Sequence, residues 1–274
     1  MRTSAPPRKR RRPPKSDWQF PGLTGMGLKP QQQRLLVIIG TVAAVVLAAT
    51  GLVAILTNLG SGASAPPLPA GDDPPPGQAR PAEFQGWVSP KLFAPIADRG
   101  QDAKPLTAKE LFGGAKTLAV SKKVSLKLAA QDLTPSCATV TWGRELIEQV
   151  SAAGCSQAAR GLYVSSDQRY IAQYTVLNLR DVKAADELVQ SLKTLYLGGW
   201  VQPLPYDKVP FPSHGHTEGA AYALGHYVGL VWLARADGAE RGAKDDFSAL
   251  GLALRAVEKP LYRRIVAITG PGTS

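Results

Sequence analysis

The sequence is poor in the side chains that most often carry chemistry, with two cysteines and three histidines among 274 residues. No Cys-x-x-Cys motif occurs, which argues against a redox-active pair of thiols. No cysteine lies directly after the long apolar run of the N-terminal region, which excludes a bacterial lipoprotein anchor. Chemistry that depends on a reactive cysteine therefore finds little support.

Motifs typical of several large enzyme classes are also missing. The chain contains no Gly-x-Ser-x-Gly, no Ser-x-x-Lys, no P-loop and no dinucleotide-binding fingerprint. Its acidic residues are scattered, and no pair is isolated among aromatic residues as a glycosidase requires. These absences argue against an enzyme, and we expect no bound cofactor.

One apolar run dominates what is present. Residues 35–57 (LLVIIGTVAAVVLAATGLVAILT) carry no charge over 23 residues. A helix of this length spans about 35 Å, enough to cross a hydrocarbon core of about 30 Å. The run is longer than the core of a cleaved signal peptide, which has roughly 7–15 apolar residues. We therefore predict a single transmembrane helix that acts as an uncleaved signal-anchor.

The charge distribution predicts the orientation of this helix. Residues 1–34 contain nine Lys or Arg and one Asp, a net charge of +8, so the whole-chain charge of +11 leaves +3 for the remainder. Basic residues accumulate on the cytoplasmic side of membrane helices. The N-terminus is therefore expected in the cytoplasm and the C-terminal domain outside it, which predicts a cell-membrane localisation.

The basic tail over residues 1–34 is rich in proline and glycine and is predicted to be disordered. Its run Arg8–Arg12 is suited to anionic lipid or nucleic acid, but we interpret it as a determinant of topology and expect no nucleic-acid partner. Within the apolar run, Gly40, Ala44 and Ala48 form a stripe of small residues that would allow two helices to approach, although chance explains the spacing equally well. Residues 58–83 are rich in Pro, Gly and Ala and read as a linker.

The predicted extracytoplasmic domain covers residues 84–270. A capping box at residues 107–110 predicts a short helix, alternation over residues 118–128 predicts a strand, and residues 140–152 follow helical spacing. Two strands over residues 160–165 and 169–179 form a hairpin, and Asp181 begins a helix. A loop over residues 202–219, a strand over residues 223–234 and a last helix capped by Asp245 or Asp246 complete the domain. The order β-α-β-β-α-β-α predicts an α+β fold, namely a ferredoxin-like βαββαβ sandwich plus a C-terminal helix.

The strand over residues 169–179 predicts how the sheet is covered. Tyr170, Ala172, Tyr174 and Val176 share one face, which should meet the helices, because burying Gln173 without partners is costly. The opposite face carries Ile171 and Leu177, and the segment that starts at Phe84 and contains Trp87 and Phe93 is expected to cover it.

The two cysteines, Cys137 and Cys155, are expected to form a disulfide, because they lie on the oxidising side of the membrane. A disulfide needs Cα atoms within about 7 Å, whereas a straight helix over residues 140–152 would span about 20 Å. Either the helix is shorter than its pattern suggests or the flanking segments fold back along it. Two buried free thiols are the alternative.

The three histidines lie close together in the sequence, at His214, His216 and His226, with Glu218 beside the first two. Nitrogen and oxygen ligands of this kind hold transition metals when three or four converge. A metal site at the loop over residues 211–226 is therefore one hypothesis. An exposed polar loop is the simpler interpretation.

In overall plan the chain resembles the uncharacterised single-pass membrane proteins of high-GC Gram-positive bacteria. The resemblance rests on a basic Pro-rich tail, one anchor, a Pro-rich linker and the segment 132–179 with its cysteine pair. It implies a location in the cell envelope and no activity. The sequence as a whole favours a binding or scaffolding module for a protein, a peptide or a cell-wall component. The alternative is a metal-dependent or other enzyme with its site at residues 211–226.

Overall fold

The computed structural model describes residues 79–270 of the chain. The predicted tail over residues 1–34, the predicted membrane helix over residues 35–57 with Gly40, Ala44 and Ala48, and most of the linker lie outside the described residues. Within residues 79–270, no helix combines the length and the apolar character that crossing a bilayer requires.

The described range contains seven strands and five α-helices. The strands are β1 (Glu83–Trp87), β2 (Thr117–Ala119), β3 (Ser125–Thr134), β4 (Gln157–Ser165), β5 (Tyr170–Asn178), β6 (Thr217–Leu224) and β7 (Tyr227–Arg235). The helices are α1 (Ala108–Phe112), α2 (Arg144–Ala152), α3 (Val182–Leu195), α4 (Phe247–Leu254) and α5 (Lys259–Thr269). Short 3-10 helices span Lys91–Ile96, Ala138–Val140 and Arg255–Glu258. The prediction of an α+β fold that ends in a helix is confirmed.

All seven strands belong to one sheet, in the order β1-β6-β7-β5-β4-β3-β2. Neighbouring strands are antiparallel except β1 and β6, which are parallel. The ferredoxin-like topology is not confirmed. In a split βαβ unit the two strands joined by a helix are parallel and separated by another strand, whereas β3 and β4, which α2 connects, pair directly and antiparallel.

The disulfide explains this difference from the predicted topology. Cys137 and Cys155 are bonded, with Cα atoms 6.0 Å apart, so the prediction of a disulfide is confirmed. The helix between them begins at Arg144, after a left-handed Gly143 at φ +89°, and is only nine residues long. The bond joins the segment after β3 to the segment before β4. The chain therefore re-enters the sheet at the end where β3 left it, and β4 runs antiparallel to β3.

Two hairpins replace single predicted strands. The predicted strand over residues 118–128 is divided into β2 and β3, because the Ser121 hydroxyl accepts from the N–H groups of Lys123 and Val124 and closes a turn there. The hairpin of β6 and β7 begins within the predicted loop over residues 202–219. The predicted strand over residues 223–234 covers the end of β6, the turn and most of β7. The turn of this hairpin uses Gly225 at φ +67°, a conformation that L side chains rarely adopt.

Helices cover both faces of the sheet. On one face, α1, α4, α5 and the first 3-10 helix pack on the predicted set Tyr170, Ala172, Tyr174 and Val176. On the other face, α2 and α3 pack around Leu177, and residues 204–211 lie over Ile171. The segment that starts at Phe84 was expected to cover the second face; α2, α3 and residues 204–211 cover most of it, and the segment contributes Phe84.

Two aromatic residues show how that segment is divided between the faces. Phe84 packs on the second face between Tyr196 and Trp200, while Phe93 is buried on the first face. Trp87 remains 44% exposed.

The polar residues of β5 on the second face have partners that were not foreseen. Gln173 is fully buried, and its amide donates to the carbonyl of Gln202 at 3.0 Å and accepts from the N–H of Leu204 at 2.6 Å. The loop after α3 thus satisfies the amide that would otherwise cost roughly 1–3 kcal/mol to bury. This contact fixes the loop across the sheet.

The domain also includes residues that the sequence assigns to the linker. The carbonyl of Ala79 accepts from the indole of Trp142, and the carbonyl of Arg80 accepts from the hydroxyl of Thr217. The N–H of Ala82 donates to the carbonyl of Thr217 at 2.8 Å. These bonds align the start of β1 with the start of β6.

Candidate functional site

A groove of about 270 Å³ lies on the first face of the sheet, between the edge strand β1 and helix α4. Its floor is formed by alternate residues of β1, β6 and β7, and its far wall by α4 and the 3-10 helix that follows it. The side chains that matter chemically are Glu83, Trp87, Glu218, Tyr222, Leu252 and Arg255. Leu252 is 73% exposed at the rim. The groove therefore combines apolar and charged walls.

An aromatic stack forms one end of the groove. Trp87 pairs with Tyr222 in the register of β1 and β6, and their rings stack at 4.7 Å with an angle of 3° between the planes. The guanidinium of Arg255 lies 3.9 Å from the centroid of the Tyr222 ring. Tyr222 is thus held between a cation and an indole, and a large face of Trp87 is left for solvent or a ligand.

A buried carboxylate fixes Arg255 over the stack. Glu258, which is 2% exposed, accepts from Arg255 Nε at 2.6 Å and from the hydroxyl of Tyr174 at 2.9 Å. Burial raises the pKa of Tyr174 well above its ordinary value, and the Glu258 carboxylate adds to the effect. The Tyr174 hydroxyl therefore stays protonated and donates. This network connects the core of the sheet to the aromatic end of the groove.

Acidic residues and a histidine form the other end. Glu83 pairs with Glu218 in the parallel register, and His216 lies two residues before Glu218. Alternation along a strand places all three side chains on the groove face. One ligand atom of each residue lies within 4.8 Å of the others. Arg241 donates to Glu218 Oε1 at 2.6 Å, whereas Glu83 is exposed.

Two of the four predicted metal ligands lie elsewhere. His214 packs against Gly238, where an added Cβ would lie 2.7 Å from its Nε2. His226 is fully buried beyond the opposite end of β6, and its Nδ1 donates to the carbonyl of Ile96 at 2.8 Å. The structure therefore brings together His216 and Glu218 but adds Glu83, which the sequence assigns to the linker.

The outer edge of β1 is the second component of the site. In the described sheet β1 has one neighbour, β6. The two-residue turn makes Leu224 and Tyr227 a hydrogen-bonded pair, and such pairs alternate along β6 and β7, so Glu218, Ala220 and Tyr222 direct their backbone groups to β7. Their partners Glu83, Gln85 and Trp87 therefore bond to β6, and the N–H and C=O groups of Phe84 and Gly86 point away from the sheet. The side chains of Glu83, Gln85 and Trp87 face the groove.

Two short stretches in which the side chains alternate between the faces of a strand indicate this site in the sequence. In EFQGW, residues 83, 85 and 87 share one face, and in TEGAAYAL, residues 218, 220 and 222 do so. The interpretation of residues 83–87 as linker and covering segment, and of residues 202–219 as a loop, does not use this alternation. Comparison of the chain with protein-family models, with curated proteins and with solved structures finds no match.

Proposed function

We propose that the chain is a membrane-anchored binding module whose outer domain takes an extended peptide segment of a partner protein as an additional strand along β1. The observation that carries this proposal is the coincidence of an open strand edge with a groove beside it. Backbone hydrogen bonds from an added strand give affinity, and pockets for alternate side chains give specificity. Phe84 and Gly86 offer the outward backbone groups, and the side chains of Glu83, Gln85 and Trp87 line the groove.

The groove indicates which side chains the segment presents. An apolar or aromatic side chain fits against the exposed face of Trp87 and the rim formed by Leu252. A side chain near the start of β1 meets Glu83, which forms no ion pair within the described residues. A cationic side chain is favoured there, because opposite charges on neighbouring strands stabilise a pair by roughly 0.2–1 kcal/mol.

The location of the module follows from the N-terminal sequence. The uncharged run over residues 35–57 and the +8 tail support a single-pass anchor with the domain outside the cytoplasm. The bilayer is then the first partner, and Gly40, Ala44 and Ala48 are suited to a dimer contact within it. The disulfide between Cys137 and Cys155 agrees with an oxidising compartment.

The proposal is tested by photo-crosslinking in the cells that produce the full chain. A benzoyl-phenylalanine residue at Gln85 should form a covalent adduct with a polypeptide. The same residue at Thr117, on the opposite edge strand β2, is the matched control and should form less of that adduct. Equal yields at both edges, or no polypeptide adduct at Gln85, would overturn the proposal.

A pair of variants separates the backbone from the side chain. Phe84→Pro removes an N–H that points outward and leaves the bonds to β6 intact. It should abolish capture of the partner, whereas Phe84→Ala, which loses the same aromatic ring, should retain most of it. If the two variants behave alike, the added-strand geometry is wrong.

A further inference from the structure

We propose that Glu83, His216 and Glu218 form a binding site for a divalent transition metal ion at the acidic end of the groove. One imidazole nitrogen and two carboxylate oxygens lie within 4.8 Å of one another. Such a set of three protein ligands leaves coordination positions for water or a ligand group. The nitrogen ligand favours zinc-like ions over calcium or magnesium, which prefer oxygen alone.

The backbone holds these three residues in place independently of any ion. Glu83 and Glu218 are direct partners in the ladder of β1 and β6. Thr217, between His216 and Glu218, is fixed by three bonds: it accepts from the indole of Trp232 at 3.1 Å, donates to the carbonyl of Arg80 and accepts from the N–H of Ala82. The ligands therefore project from two paired strands rather than from a free loop.

Side-chain contacts also restrict the histidine. The ring of His216 packs against Phe247 of α4, with centroids 6.2 Å apart, and its Nε2 lies 3.4 Å from Glu218 Oε1. The His216 side chain is about 15% exposed, so the surrounding protein holds most of the ring. Little side-chain entropy remains to be lost when an ion binds.

Arg241 is the competitor for this site. Its guanidinium donates to Glu218 Oε1 at 2.6 Å, and its side chain is 44% exposed. An ion pair this exposed contributes little, typically about 0–1 kcal/mol. A divalent ion can therefore displace the guanidinium from that oxygen, and the removal of Arg241 should strengthen metal binding. A purely structural role for the three ligands would not produce that gain.

The experiment is calorimetric titration of zinc chloride into the full chain, purified in detergent without an affinity tag and freed of metal by a chelator. The wild type and His214→Ala should show one saturable site. His216→Ala and Glu83→Gln should bind zinc at least about tenfold more weakly, because even changes to residues behind metal ligands cost 10–100-fold. Arg241→Ala should bind more tightly than the wild type.

Several outcomes would overturn the proposal. These are no saturable zinc binding by the wild type, an equal loss in His214→Ala and His216→Ala, or calcium binding as tight as zinc binding. Circular dichroism of each variant shows whether it is folded, and the gain expected for Arg241→Ala does not depend on a variant that loses function. Peptide capture at Gln85 by metal-free protein is measured separately, so the two proposals can fail independently.

Discussion

Arg264 of the last helix donates from Nη1 to Oδ1 of Asp102 at 2.8 Å, and each of the two residues is only 7% exposed. The same guanidinium donates to Glu110 Oε2 at 2.7 Å and to the hydroxyl of Tyr227 at 3.1 Å. The cluster joins α5 to the segment before α1 and to β7. It therefore holds the C-terminal helix on the sheet through charge as well as apolar packing.

Removal of Arg264 should be strongly destabilising. Arg264→Leu leaves Asp102 buried without its cation, and breaking a buried ion pair from one side costs about 3–5 kcal/mol. Arg263→Leu changes the exposed neighbour on the same helix and should alter stability by less than about 0.5 kcal/mol. Denaturant unfolding of the two variants checks this. Equal losses would show that the cluster contributes nothing specific.

Reduction of the disulfide should also lower stability. Cys137 and Cys155 are separated by 18 positions, and closing a loop of this size stabilises a fold by roughly 3 kcal/mol in the chain-entropy model. The native protein should present no thiol to an alkylating reagent until it is reduced. Denaturant unfolding with and without a reductant measures the difference. Alkylation of either cysteine in the unreduced protein would contradict the bond.

His226 should make the domain sensitive to mild acid. Burial lowers the pKa of His226 below its ordinary value, although the Ile96 carbonyl acts in the opposite direction. Its Nε2 is buried and has no hydrogen-bond partner among the described residues. Because the unfolded chain takes up the proton more readily, this contribution to stability is present above about pH 6.5 and is lost as the pH falls through the lower folded pKa.

The test of this pH dependence compares His226→Asn with the wild type. Asparagine keeps a side-chain N–H for the Ile96 carbonyl and does not titrate. Between about pH 7 and about pH 5, unfolding free energy should therefore fall less steeply in the variant. His214 and His216 are present in both proteins, so the difference in slope isolates His226. Parallel curves would contradict the assignment.

The features predicted well from the sequence are those set by local chemistry. Thr107, Asp181 and Asp246 accept from backbone N–H groups at the starts of α1, α3 and α4, as their positions in the sequence indicated. The hairpin of β4 and β5 likewise follows from alternation and a polar turn at residues 166–168. Such signals are complete within a few residues.

The features missed depend on residues far apart in the chain. Strand β1 pairs with β6 across more than a hundred residues, so neither strand carries the pairing signal alone. The same pairing creates the groove and brings Glu83 to Glu218. The topology was missed because the disulfide joins the chain before α2 to the chain after it and keeps the helix short. Helical periodicity does not contain this constraint.

The predicted membrane topology can be tested directly. A protease added to intact spheroplasts should degrade the C-terminal domain and leave a cytoplasmic marker protein intact, because the +8 charge of residues 1–34 predicts a cytoplasmic N-terminus. Complete protection of the domain until the cells are lysed would reverse the orientation. Release of the intact chain without detergent would contradict the anchor.

The last expectation concerns Glu258, which connects the core to the groove. Glu258→Gln removes the negative charge that holds Arg255 over Tyr222, so the stack of Tyr222 and Trp87 should loosen and peptide capture at Gln85 should fall. Tyr174→Phe removes only the hydroxyl that donates to Glu258 and leaves the pair with Arg255 intact. It should cost about 1–3 kcal/mol of stability, because the hydrogen bond to a charged group is lost, without weakening capture.

Two measurements on the same preparations separate these effects. Denaturant unfolding reports the loss of stability, and photo-crosslinking at position 85 reports capture by the folded protein. Glu258→Gln should lose both, whereas Tyr174→Phe should lose stability alone. If both variants reduce capture in proportion to their loss of stability, Glu258 acts only through the fold. If Glu258→Gln captures as well as the wild type, the groove does not need Arg255 to be fixed over Tyr222.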